Sequence, residues 1–382
     1  MNSYHKNLVF TAACIGMCFF GVSMITLGAV LPSLIDKLSL SGLQTTSLVT
    51  FLPLGMLAGS LVFGPIVDRF GHKALLVPSC ILVLAGMEGL VFFRSVPLLQ
   101  LSIVGIGLGG GILNGETNAL VADISNDKEK GSRLSFLGMF YGLGALGIPA
   151  LLGILSRDYT YDTILQGIGV VMLAGILFCI PVRFPAPKQA QGFPVKEGLG
   201  LLKESSLLLL SFILFFQSGV EGVCNNWSTS YFKDTTSIAD HKILLTLTLM
   251  VAGLTVARML QVVVFKKIEP QKVLPYSLAL TAIGFGMLTF SPGFGRAAAG
   301  MILVGMGLSA TYPVILSILG SRYAALSGTA FSVALAIALV GQTLMNGLMG
   351  MLAQYAHGIA VYPYLMIASV VIMLFLFKRS VS

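Results

Sequence analysis

Charge is scarce in this chain. Only 10% of its 382 residues are Asp, Glu, Lys or Arg, against about 25% in soluble globular domains. With 56% hydrophobic residues, a soluble fold would have to bury nearly every helix in one core, which chains of this length do not do. Tryptophan occurs once and cysteine five times. Cys14, Cys18, Cys80, Cys179 and Cys224 all fall inside apolar runs, so they imply no disulfide framework. Cys14 and Cys18 share a helix face with no His or acid beside them, and read as small packing residues. A phosphate-cradling G-x-x-x-x-G-K-[ST] loop is missing: GIGLGGG at 105–111 lies inside an apolar run and is followed by no Lys-Ser. No nucleophile triad, metal cluster or cofactor signature is visible. The chain therefore reads as a non-enzyme without a cofactor or metal, whose work is driven by a gradient or is passive.

What abounds is long apolar runs. A helix needs roughly 20 apolar residues to cross a bilayer, and twelve spans can be placed, at 8–34, 44–66, 74–93, 97–122, 133–156, 162–183, 205–232, 243–265, 273–291, 296–319, 326–353 and 358–377. The first is too long for a signal-peptide core and lacks a small-residue cleavage site after it, so it reads as a transmembrane helix. Residues 184–204, FPAPKQAQGFPVKEGLGLLKE, hold no span and are interrupted by prolines and glycines, as a linker is. The prediction is an all-α membrane protein: twelve transmembrane helices in two pseudo-symmetric six-helix bundles, 1–183 and 205–382, joined by the 184–204 linker.

The net charge of +8 would suggest nucleic acid on a soluble protein. Here the Lys and Arg residues sit in short connections, where they set topology. With the N-terminus inside, sixteen of them fall in inside segments and six in outside segments, and Arg258 alone lies within a span. Both termini and the linker are accordingly expected on the cytoplasmic side of the inner membrane. The expected partners are the lipid bilayer and a small solute rather than nucleic acid, and the expected state is a monomer.

The two halves echo each other. GMLAGSLVFGPIVDRFGHK (55–73) aligns with GLTVARMLQVVVFKKIEPQ (253–271) at an offset of 198, and GIGLGGG (105–111) with GMGLSAT (305–311) at an offset of 200. A six-plus-six repeat about a linker suits a transporter whose halves rock about a central site.

GPIVDRFGHK (64–73) resembles the loop signature of the major facilitator superfamily, G-x-x-x-D-R-x-G-R-[RK], between the second and third helices. Gly64, Asp68, Arg69, Gly71 and Lys73 match it, and His72 stands where Arg is usual. Topology needs only basic residues, so Asp68 asks for another reason. Its charge at a helix end needs a partner, and Arg133 at the start of span five and the N-terminus of span eleven are the candidates. Such a clasp would hold the cytoplasmic side closed and break as the transporter turns. The bland alternative is a stop-transfer loop that merely anchors topology. The glycines permit a tight turn and close helix approach.

Three further stretches resemble the fucose permease-like branch of that superfamily: LNGETNALVADI in span four, GVEGVCNNWSTSYF in span seven and GMGLSATYPVILSILGSR in span ten. That resemblance implies transport of a sugar or similar polar metabolite coupled to protons, with sodium an open alternative. There are departures. Gly28 stands where the best-known symporter of the branch has an aspartate in span one. That symporter's span-four glutamate aligns with Asn114, while Glu116 lies two positions on, about 200° around the helix.

Ionisable groups at membrane depth cost about 2.5–3.5 kcal/mol each on insertion scales and are functional candidates by default. Glu221 in span seven and Arg258 in span eight are expected to pair, either exchanging a proton for coupling or as a static buried bridge. Glu116 is the third coupling candidate. Asn114 and Asn118 share one face at i, i+4 spacing, and either that pair or Glu116 faces the central cavity. Trp227, following Asn225 and Asn226, could stack on a sugar ring while the amides bond its hydroxyls, or could belong to an interfacial aromatic belt. Tyr141, Gln217, Tyr312, Gln342 and Asn346 are further substrate-binding candidates, each equally readable as packing. Pro149 and Pro313 are expected to mark bends. GLGALGIPALLG in span five slightly resembles an antiporter signature, with Ile148 spoiling the Gly-Pro step, so export of a drug or metabolite is the alternative to uptake. A membrane-embedded sensor or enzyme is the alternative of another class, without a catalytic constellation or an appended domain to support it.

Overall fold

The computed structural model describes residues 4–155, 158–189, 200–289, 293–355 and 358–381. Within the 184–204 linker, residues 190–199 lie outside the described residues. The described secondary structure is helical: α1 (Lys6–Leu38), α2 (Gly42–Phe70), α3 (Lys73–Phe92), α4 (Val96–Ile124), α5 (Asp127–Leu155), α6 (Tyr161–Cys179), α7 (Ser205–Thr235), α8 (Asp240–Val264), α9 (Pro270–Leu288), α10 (Phe294–Leu308), α11 (Thr311–Arg322), α12 (Ser327–Tyr355) and α13 (Tyr362–Val381). Eleven helical stretches among the described residues are long and apolar enough to cross a membrane. The remaining long helix, α9, opens on Pro270, Gln271 and Lys272. With α10 and α11 forming one span, Phe294–Arg322, the twelve-helix pattern read from the sequence is present, and the protein is a multi-pass membrane protein.

Local chemistry sets the helix ends. Ser41 and Gln44 form a reciprocal capping box at the start of α2, satisfying two backbone donors that the first turn leaves without partners. Span ten, in which Pro313 is expected to mark a bend, breaks between Leu308 and Thr311. Pro313 explains the break, since its ring clashes with the carbonyl four residues back, that of Ser309, and has no N–H to donate there. Pro149, by contrast, sits inside a continuous α5.

The chain gathers into two compact units. One comprises residues 1–125, 137–199 and 323–332; the other comprises 126–136, 200–322 and 333–382. Within each unit, glycines let helix backbones touch. A methyl group on Gly107 of α4 would lie 2.4 Å from the Leu52 carbonyl oxygen of α2, and one on Gly55 would lie 2.8 Å from the Val104 oxygen. In the second unit a methyl on Gly305 of α10 would lie 1.9 Å from the Met250 oxygen of α8, and one on Gly253 would lie 2.6 Å from the Ile302 oxygen. Each of these four positions in the second unit is its counterpart in the first plus 198. The echo at offset 198 thus corresponds to one helix crossing built twice, in which the counterpart of Gly107 is Gly305 and not the Gly307 that an offset of 200 would give. In lipid, where apolar surface gives helices little reason to associate, such close backbone contact is what holds them together.

The second unit also has a packed aromatic core. Tyr231 and Tyr362 lie with ring centroids 5.0 Å apart, and Phe285 meets Tyr362 edge-on at 6.0 Å. The buried hydroxyls are satisfied: Tyr231 donates to the Leu288 carbonyl at 2.5 Å and Tyr362 to the Cys224 sulfur at 3.3 Å.

Candidate functional site

The loop signature is built at the end of α2. Gly71 has φ +83°, a left-handed conformation that favours glycine, and it lets the chain reverse directly into α3. Gly64 brings α2 against the start of α12: a methyl there would lie 2.6 Å from the Gly328 carbonyl oxygen. This approach puts the buried Asp68 carboxylate at the first turn of α12. It accepts hydrogen bonds from the N–H groups of Gly328 (3.2 Å) and Thr329 (2.9 Å) and from the Thr329 hydroxyl (2.7 Å). A carboxylate there satisfies orphan donors and meets the positive end of the helix dipole. Ser332 donates to the carbonyls of Ser60 and Leu61 in the same contact. Of the two partners proposed for Asp68, then, the N-terminus of span eleven makes these bonds, while Arg133 pairs with Glu129 along its own helix at 3.3 Å. Arg69 is exposed and lies over the Phe70 ring. Lys73 donates to the Ile180 carbonyl at 2.5 Å.

His72 is buried, and each of its ring nitrogens faces a carboxylate of α4. Nδ1 is 3.1 Å from Glu116 Oε1, and Nε2 is 3.1 Å from Asp123 Oδ2. Asp123 also accepts from Lys188 (2.6 Å) and the Ser327 hydroxyl (2.8 Å), and Lys188 donates to Ser327 at 2.5 Å. Burial alone would push the imidazolium of His72 towards deprotonation, but the hydrogen bonds and charges of Asp123 and Glu116 outweigh it and raise the pKa to about 9. Asp123 and Lys188 were not singled out in the sequence. The available signal was spacing: Glu116 and Asp123 are seven residues apart, two helical turns within about 20° of one face.

Glu116 is therefore fully buried beside His72. Asn118 curls back onto the Asn114 carbonyl at 2.6 Å, with Asn114 more open than Asn118. Tyr141 is half-buried on α5, its ring 5.3 Å from that of Phe20.

In the second unit, α7 carries most of the polar candidates. Gln217 is fully buried and donates to the Leu308 carbonyl at 3.1 Å, an acceptor that the break after α10 leaves available. One turn on, Glu221 is half-buried, hydrogen-bonded to Gln217 and in electrostatic reach of the buried Arg258 on α8. Ser218 hydrogen-bonds the Tyr312 hydroxyl. Asn226 donates to Asn346 Oδ1 at 2.9 Å, and Asn346 in turn donates to the Gln342 carbonyl at 2.7 Å. Asn225 is exposed. Trp227 is half-buried with its ring edge over Gly350. The arrangement offers amide, hydroxyl and carboxylate groups along one helix and its neighbours α8, α11 and α12, so it can bond a small hydroxylated solute and hold a proton beside a fixed cation.

Comparison with known proteins gives three findings. Residues 13–264 match the sequence profile of the Major Facilitator Superfamily. A 165-residue stretch is 34% identical to the Multidrug resistance protein MdtH of Aeromonas hydrophila, covering 42% of this chain and 39% of that protein. A 189-residue stretch is 26% identical to Protein TsgA of Salmonella newport, covering 48% of each. The chain thus spans less than half the length of either curated relative in the matched region. Among solved structures, FucP in the outward conformation superimposes with a TM-score of 0.83 at 16% identity, over 97% of this chain and 98% of that one. The proton:xylose symporter XylE gives 0.81 at 16% identity, over 98% and 95%. At that identity the likeness is one of fold.

Proposed function

The chain belongs to the Major Facilitator Superfamily, and on that premise we propose that it is a secondary active importer that takes up a sugar or similar small polar metabolite together with protons. Alternating access would run between the halves 1–183 and 205–382 about the 184–204 linker. The observation that carries this reading is the Gln217–Glu221–Arg258 set: a carboxylate hydrogen-bonded to an amide and facing a buried guanidinium, on the helix that also carries Asn225, Asn226 and Trp227. A permanent cation beside a carboxylate favours its charged form, and surroundings poor in water oppose it. That balance suits reversible protonation. The neighbouring amides and the indole suit a hydroxylated ring, with hydrogen bonds at its edge and apolar contact on its face. The fold likeness to symporters of fucose and xylose supports the reading.

A second reading is export by proton antiport, supported by the likeness to a protein named for multidrug resistance. Two measurements separate them. Purified protein is screened by thermal shift against sugars, amino sugars, organic acids and lipophilic cations, with and without sodium. Proteoliposomes are then tested for movement of the stabilising solute under an imposed proton gradient. Stabilisation by a hydroxylated solute and its accumulation along the proton gradient support import. Stabilisation by lipophilic cations alone, with movement against the direction of proton flow, establishes export instead.

A further inference from the structure

The cluster around His72 contains a proton that the simplest bookkeeping of its groups does not supply. A neutral imidazole has one N–H and one bare lone pair, so it can donate to only one carboxylate. Here both ring nitrogens lie 3.1 Å from carboxylate oxygens, one from Glu116 and one from Asp123. With a neutral ring and two ionised acids, one of those contacts would set a lone pair against a negative oxygen. The geometry is satisfied only when the three groups together hold one additional proton. The second oxygen of Glu116, Oε2, is buried and has no hydrogen-bond partner, and the Glu116 side chain has no exposed surface. An unneutralised carboxylate in that position would be costly.

We propose that His72, Glu116 and Asp123 form a proton-binding site, separate from Glu221, and that the bound proton pins the loop between α2 and α3 onto α4. The other charged and titratable groups around it are already committed or neutral. Asp68 on α2 is bonded to the start of α12, Lys73 on α3 to the Ile180 carbonyl, and Lys188 to Asp123. Cys80 on α3 and Cys179 on α6, both within electrostatic reach of Glu116, bear no charge as thiols. Lys188 balances one carboxylate permanently, which leaves the second to the imidazolium. An arginine at position 72 would supply that charge at every pH. A histidine supplies it only while the proton is bound, so the hold on the loop follows proton activity on its own side of the membrane.

The test uses the full chain in nanodiscs and needs no transport substrate, so it stands or falls apart from the import reading. The sequence has four histidines. Replacing His5, His241 and His357 with glutamine leaves one imidazole to observe by 15N NMR. Both nitrogens should carry protons at pH 7.5, with a deprotonation midpoint at least two pH units above the ordinary value of about 6.5. A neutral ring at pH 7.5, or a midpoint near 6.5, overturns the proposal. The linkage has a definite sign: a folded-state pKa raised to about 9 contributes stability that is complete below about pH 6.5 and is lost as pH rises through 9. The unfolding midpoint of the unaltered chain should therefore fall across that window relative to His72→Arg, whose charge does not titrate. Parallel profiles overturn the proposal. Should His72→Arg fail to fold, Glu116→Gln serves: removing one carboxylate should lower the NMR midpoint of His72 by at least one pH unit, and an unchanged midpoint overturns it.

Discussion

Asp68 and Thr329 are 261 positions apart in the chain, and the carboxylate of the first accepts both the N–H and the hydroxyl of the second, at 2.9 and 2.7 Å. One side chain thereby caps a helix whose start would otherwise carry unsatisfied donors. Hydrogen bonds to a charged group contribute about 1.5–3 kcal/mol. Asp68→Asn keeps the shape, removes the charge and leaves one acceptor oxygen. It should slow solute flux about tenfold or more while changing equilibrium binding less than about threefold. Flux and binding are measured on the same proteoliposome preparation. Lost binding with unchanged turnover would contradict the role of a clasp.

Glu221→Gln keeps the hydrogen bond to Gln217 and removes the ionisable group that faces Arg258. Accumulation driven by a proton gradient should vanish while solute exchange at equal pH persists. Normal accumulation would show that Glu221 is not the coupling residue.

Trp227 is half-buried, with its ring edge over Gly350, so truncating it removes a face rather than a core. Trp227→Ala should weaken solute affinity about tenfold, in line with an aromatic contact of about 1.5 kcal/mol, and should shift the unfolding midpoint little. Unaltered affinity would move Trp227 to an interfacial anchoring role.

The glycine crossings predict a contrast between neighbouring substitutions. Gly305→Ala places a methyl 1.9 Å from the Met250 carbonyl oxygen, whereas a methyl on Gly286 meets nothing within 4 Å. Overpacking costs about 1–3 kcal/mol, while alanine for glycine within a helix gains about 1 kcal/mol. Gly305→Ala should lower the unfolding midpoint by several degrees, and Gly286→Ala should leave it unchanged or raise it. Equal effects would remove the argument that backbone contact holds α8 to α10.

Much of this architecture could be read from spacing alone. Apolar runs long enough for a bilayer fix where helices lie, because lipid offers the backbone no hydrogen bonds and helices supply their own. The offset of 198 between Gly55 and Gly253 announces a repeated crossing, because close approach tolerates only the smallest side chain. The break in span ten was less legible. Pro313 is visible, but whether a proline kinks or ends a helix depends on its neighbours, and here the break also leaves the Leu308 carbonyl to Gln217 on α7.

The sequence by itself determined the helices, the charge bias of their connections and the presence of ionisable groups at membrane depth, since these follow from composition and local period. Only the tertiary structure decided which groups meet. Glu116 could have faced solute or neighbours, and packing α4 beneath the loop turned it to His72. Asp68 could have met Arg133 or a helix end, and the contact at Gly64 brought the helix end to it. Partner choice rests on backbone approach between segments far apart in the chain, and a one-dimensional pattern carries no measure of that distance.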